Sequence, residues 1–104
     1  MSRLAQLQTM LKEDPKDSFL LFAVAKEYEK LQDLDQAISY YENLVQNDSK
    51  YTGVYYHLGG AYAELGNKDK ATEVYQTGIA VCKEVGDQHA LSELKSVLMN
   101  LEIE

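Results

Sequence analysis

The sequence predicts an all-α fold of tandem helix hairpins, and three observations carry that expectation. First, the 104-residue chain matches itself at an offset of 34: Ala25, Tyr28, Ala37 and Tyr41 find Gly59, Tyr62, Ala71 and Tyr75. Leu21 and Val24 meet Tyr55 and Leu58 at the same offset. A fixed period of this length marks one folded unit repeated along the chain. Second, apolar residues recur at spacings of three and four, the helical period, and no segment alternates cleanly enough for a strand. Third, Pro15 is the only proline, so few helices are broken from within.

Six helices follow in order. The first spans about 2–13, with Leu4, Leu7, Met10 and Leu11 on one face, and Pro15 stops it. The second spans about 18–31, capped by Asp17 or Ser18. Gln32-Asp33 makes a tight turn, and Asp33 caps a third helix over about 34–47, with Gln36 placed as in a capping box. Asn47-Asp48-Ser49 is the next break. Thr52 is the expected cap of a fourth helix over about 53–65, closed by Gly66 in the left-handed conformation. Asn67 caps a fifth over about 68–85, Gly86-Asp87 breaks the chain, and a sixth spans about 88–102. Loops this short fold successive helices back antiparallel.

Side-chain size sets the expected packing. Ala25, Gly59, Ala37 and Ala71 let facing helices approach, and Tyr28, Tyr41, Tyr62 and Tyr75 fill the space around them. Leu44 and Gly78 break the size match, so the second hairpin is expected to seat its neighbour differently. Strict counting by 34 would put His89, Ser92 and Ser96 on the packing face of the last helix. A shift of two substitutes Leu91, Leu94 and Leu98, with Val97 and Leu101 completing the stripe. Cys82, among Gly78, Ile79 and Val85, reads as a buried thiol, with a reactive thiol as the alternative.

This arrangement resembles the tetratricopeptide repeat family. Leu58-Gly59-x-x-Tyr62 followed by Ala71-x-x-x-Tyr75 is close to its signature, and Leu21, Val24, Ala25, Tyr28, Ala37, Tyr41 and Leu44 repeat it upstream. Pro15 lies 34 before Ser49, where the family usually has a proline. The resemblance implies a short right-handed superhelix in one domain, 1–104: a half-repeat helix at 2–13, repeats at 18–50 and 52–85, and a capping helix at 88–102. Leu21 and Tyr55 stand where the family often has tryptophan.

The family likeness also implies a function. The first helix of each hairpin lines a concave groove in such proteins, and ligands sit there. Here those faces carry Phe19, Phe22, Ala23, Lys26, Glu29 and Lys30, then Gly53, Tyr56, His57, Gly60, Ala63 and Glu64. The expected site is Phe19, Phe22, Lys26, Lys30, Tyr56, His57, Gly60 and Glu64, an aromatic patch with mixed charge that suits a peptide or partner helix. The alternative is that the terminal helices cover these rings as core. Gly60 either leaves room for a ligand backbone or has no role. One subset of the family grips a C-terminal carboxylate with lysine, arginine and asparagine. Ala23 and His57 occupy the comparable places, so that clamp is incomplete and no chaperone-tail binding is expected.

Composition excludes other classes. Net charge is −7, with nine acids and six bases in residues 1–50 and eight and four in 51–104. Without a basic tract, neither nucleic acid nor an anionic membrane is an expected partner. One cysteine forms no intrachain disulfide and no cysteine-rich zinc site. His57 and His89 lie 32 apart without ligand spacing around either. No phosphate loop or Gly-x-Ser-x-Gly nucleophile motif is present. The expectation is a non-enzymatic, cytoplasmic interaction module with no cofactor or metal. Homodimerisation through the last helix or exposed aromatics is the alternative.

Overall fold

The computed structural model describes residues 2–104. These form six α-helices and, among the described residues, no strand: α1 Arg3–Glu13, α2 Ser18–Lys30, α3 Leu34–Asn47, α4 Gly53–Glu64, α5 Lys68–Val85 and α6 Gln88–Glu102. The helices fall where periodicity and caps put them; α1 starts one residue later, and α2 and α4 stop one residue earlier. The chain divides into two compact units, one ending at Tyr51 and one spanning Thr52–Glu104.

In the first unit, α1 and α3 both pack on α2. Ser2 and Asp17 cap α1 and α2 by accepting from the Ala5 and Leu20 N–H groups. Asp33 caps α3 through the Gln36 N–H at 3.2 Å. Leu7, Leu20, Ala23 and Val24 form a core, with Leu4, Leu11, Tyr28 and Tyr40 against it. Ala25 and Ala37 are fully buried, which is what a close helix approach requires. Tyr41 is buried too, and its hydroxyl donates to Glu29 Oε1 at 2.7 Å. Burial first, then the Glu29 carboxylate, raises the Tyr41 pKa far above the phenol range. Tyr28 is only half-buried: it stacks on Tyr40 at 5.7 Å and accepts from Gln8 Nε2.

In the second unit, α4 packs on α5, and α6 packs on both. Gly59 lies under the Tyr75 ring, and Gly78 lies against Tyr55 and Leu94. The space a leucine side chain would occupy at Gly78 is filled by Tyr55 and by Leu94 of α6. The two-residue shift on α6 is the register observed. Ala90, Leu94 and Leu101 are buried and Leu91, Val97 and Leu98 half-buried, while His89, Ser92 and Ser96 are exposed. Leu21 and Tyr55, in place of tryptophan, are buried to within 2%. Cys82 is buried, and burial first, then Asp87, pushes its thiol pKa up. That argues for packing over reactivity.

One expected cap fails. Thr52 has helical backbone angles and makes no side-chain cap bond. Its hydroxyl instead donates to Asp87 Oδ2 at 2.6 Å, while the other Asp87 oxygen caps α6 through the Ala90 N–H. The first unit contains the counterpart: Ser18 Oγ donates to Asp48 Oδ2 at 2.7 Å. In both units a hydroxyl at the start of the first repeat helix ties to an aspartate just past the second. Gly66 is left-handed as expected (φ 82°), and Gln32, at the matching turn, takes the same conformation (φ 61°).

Candidate functional site

Residues on α2 at spacings of three and four share one face. Phe19, Phe22, Ala23, Lys26 and Lys30 fall on it, and the structure brings them together in a cleft of about 320 Å³, with Glu27 and, from α1, Arg3. Phe19 is 61% exposed at its mouth. Phe22 is half-buried, its ring 5.9 Å from Tyr41 and 5.4 Å from Tyr51. Lys26 Nζ stands 5.8 Å over the Phe22 ring, a cation–π contact. Ala23 keeps the floor low. Glu27 holds two cations at the rim, Arg3 at 3.5 Å and Lys30 at 3.1 Å.

Arg3 and Glu27 were missed from the sequence. The Glu27-Lys30 pair was legible as a helical i,i+3 neighbour. Arg3 was not, because nothing in the pattern fixes which turn of α1 crosses α2. Glu29, expected on the lining, is engaged by the Tyr41 hydroxyl.

On α4 the expected residues divide. Tyr56 is 41% exposed and meets the half-buried His57 ring edge-on at 5.4 Å. Tyr56 also borders a cleft of about 380 Å³ with His89, Ser92, Glu93, Ser96 and Val97 of α6. Glu64 lines a separate cleft of about 320 Å³ with Ala63, Tyr75, Val97, Asn100, Leu101 and Glu104. Gly60 lines neither, and a Cβ there would meet only the Tyr75 hydroxyl, at 3.8 Å. Of the three rings expected on these faces, Phe19 and Tyr56 are exposed and Phe22 is half-buried against Tyr41 and Tyr51.

These faces offer groups suited to recognition. Aromatic rings offer apolar contact, and lysine and arginine heads offer charge and hydrogen bonds. Among the described residues no group of three His, Cys, Asp or Glu could hold a metal ion. His89 stands 3.7 Å from Glu93, and both are exposed on α6. Among the described residues no helix is long and apolar enough to cross a membrane.

Two family profiles described as tetratricopeptide repeat match, over residues 28–85 and 2–50. The chain belongs to the tetratricopeptide repeat family. It is 27% identical over 96 residues to a TPR repeat-containing protein of Pseudomonas aeruginosa, covering 92% of this chain and 91% of that one. A tetratricopeptide repeat domain protein from Salinibacter ruber, solved by NMR, is 40% identical over 85% of this chain and 89% of its own (TM-score 0.80). The TPR2B domain of yeast Sti1, solved in complex with pHsp70, is 17% identical but superposes with a TM-score of 0.89 over 95% of this chain and 79% of its own. The Sti1 likeness is one of fold. In tetratricopeptide repeat terms, α2 and α4 are the first helices of two hairpins.

Proposed function

We propose that this chain is a non-catalytic protein-interaction module that holds a peptide or partner helix on the first-helix faces of its repeats. Phe19, Phe22, Lys26 and Lys30 provide one contact surface, and Tyr56, His57, Gly60 and Glu64 the other. The observation that carries this reading is Phe19. A phenylalanine 61% exposed beside a lysine-capped ring stabilises nothing internal, whereas a buried aromatic anchor is what a binding partner gains most from. Tetratricopeptide repeat domains such as that of Sti1 are known in complex with protein ligands, which supports a binding role without supplying the ligand. The net charge of −7 argues against nucleic acid and anionic membranes as partners. A lone buried cysteine suits a cytoplasmic setting.

The test is capture of partners from cell extract by the wild-type chain and by the double variant Phe19→Glu, Tyr56→Glu. Both rings are exposed, so the variant should keep its far-UV circular dichroism. Loss of specific partners supports the reading; identical captured sets would defeat it.

One observation favours a second reading. Met99 on α6 and Ile103, the residue that caps its C-terminus, are 62% and 79% exposed, an apolar pair suited to self-association. Sedimentation across the micromolar range decides: a monomer throughout removes it.

A further inference from the structure

We infer that the α1–α2 cleft selects an acidic peptide segment carrying a bulky apolar residue among its carboxylates. This rests on the groove-binding reading above and adds the chemistry of the ligand. The chain is acidic overall, yet Arg3, Lys26 and Lys30, three of its ten Lys and Arg residues, converge on this one cleft against a single carboxylate, Glu27. Glu27 is shared between Arg3 and Lys30, and its side chain is 16% exposed while theirs are 63% and 69%. It holds both heads outward at the rim, where each keeps donors for an incoming carboxylate. Lys26 pairs with no carboxylate among the described residues; its charge lies over the Phe22 ring.

The apolar half of the specificity comes from Phe19. Its exposed ring borders a cleft of about 320 Å³, at the small end of the roughly 300–1,000 Å³ of ligand pockets. That space suits one bulky side chain laid against Phe19, not a large ligand. Arg3, Lys26 and Lys30 line the same cleft as this ring, so carboxylates that flank the apolar residue in sequence come within their reach. The net negative charge of the rest of the molecule does not cancel this local field. Exposed charges more than about 8 Å away are largely screened at physiological ionic strength.

The probe is a synthetic peptide, Glu-Glu-Leu-Phe-Glu-Glu, acetylated and amidated so that no chain-end carboxylate takes part. Two further peptides replace every Glu by Lys, or both apolar residues by Gly. Binding is followed by amide shift changes in the labelled 104-residue chain and by anisotropy of a fluorescein label. The acidic apolar peptide should shift amides of residues 19–30 and Arg3. Lys26→Glu and Phe19→Ala should each weaken it at least about tenfold, in the range expected for loss of a cleft contact. Lys26→Arg should retain binding, and Lys95→Glu, an exposed charge on α6, should leave it unchanged.

If the lysine peptide binds equally well at the same amides, the acidic specificity is wrong while the groove reading stands. If the glycine peptide binds as tightly as the apolar one, the Phe19 anchor is wrong. If the acidic peptide shifts only residues 52–104, the assignment of this cleft fails. If no peptide shifts α2 or α4, both readings fall.

Discussion

Replacing Gly78 with alanine should destabilise the second unit, although alanine is the better helix former. The helical gain is about 1 kcal/mol for Gly→Ala in a helix interior. Against it stands the space. A Cβ on Gly78 would lie 2.5 Å from Tyr55 Cβ, 2.8 Å from Tyr55 Cγ and 2.9 Å from Leu94 Cδ1. Comfortable carbon contacts are about 3.5–4.0 Å. The Tyr55 Cβ is fixed by the α4 backbone, so no rotamer change relieves it; α4 and α5 must separate by about 1 Å at this point. Overpacking of this kind typically costs about 1–3 kcal/mol, and here it also disturbs Leu94, the most buried residue of α6. The net expectation is a loss of about 1–2 kcal/mol, since the close contact is to a backbone-fixed atom.

Gly60 supplies the control within the same helix pair. Its added Cβ would meet only the Tyr75 hydroxyl, at an ordinary 3.8 Å. Gly60→Ala should therefore stabilise by about 0.5–1 kcal/mol through the helical gain alone. The assay is urea unfolding followed by far-UV circular dichroism, with the dependence on urea unchanged between variants. Gly78→Ala as stable as wild type, or Gly60→Ala less stable, would refute the packing argument.

Three other outcomes are expected. Gln32 is exposed and left-handed (φ 61°), a conformation costing about 1–2 kcal/mol for a residue with a Cβ, so Gln32→Gly should gain about 0.5–1 kcal/mol after glycine's extra unfolded-state entropy is subtracted. The same urea titration reads it, and a loss would count against the turn. Tyr41→Phe removes the buried hydroxyl that donates to Glu29 and should cost about 1.5–3 kcal/mol, as for hydrogen bonds to charged groups; an unchanged midpoint would show that the bond contributes nothing. The Thr52 hydroxyl, then the Ala90 N–H, lower the Asp87 pKa in the folded chain, so this group binds fewer protons folded than unfolded. Its stabilisation is present above the ordinary carboxylate value of about 3.9 and is lost as pH falls through the folded value, so Thr52→Val should be more destabilising at about pH 7 than at about pH 2.5. An equal deficit at both pH values would break that linkage.

The sequence revealed most of the fold because the repeat is written in side-chain size. Asp17, Asp33 and Asn67 announce helix starts, and each accepts the N–H three residues on. The mistake over Thr52 has a readable cause. The residue 34 beyond Asp17, which caps α2, is Tyr51, not Thr52, and Tyr51 has no short acceptor to offer. Thr52 matches Ser18, which also bonds an aspartate across its unit and does not cap its helix. The frame contained the answer, and composition at one position obscured it. The Tyr28 environment was less legible. Its stacking on Tyr40 and its bond to Gln8 depend on how α1 crosses α2, and no repeat offset governs α1's rotation.

The same limit explains the candidate site. Phe19, Phe22, Lys26 and Lys30 were legible because helical spacing alone puts them on one face of α2. What turns that face into a cleft is Arg3 and the edge of α1, and both come from outside the repeat. Ala25 and Ala37 are fully buried, so enlarging either would strain the packing of the repeat, whereas Arg3 on α1 is exposed. Specificity in this unit is therefore expected to lie in two kinds of position: exposed residues of the first repeat helix, and the residues that α1 lays beside them. Substitution at Arg3 should retune ligand preference while leaving unfolding nearly unchanged, because exposed ion pairs contribute at most about 1 kcal/mol.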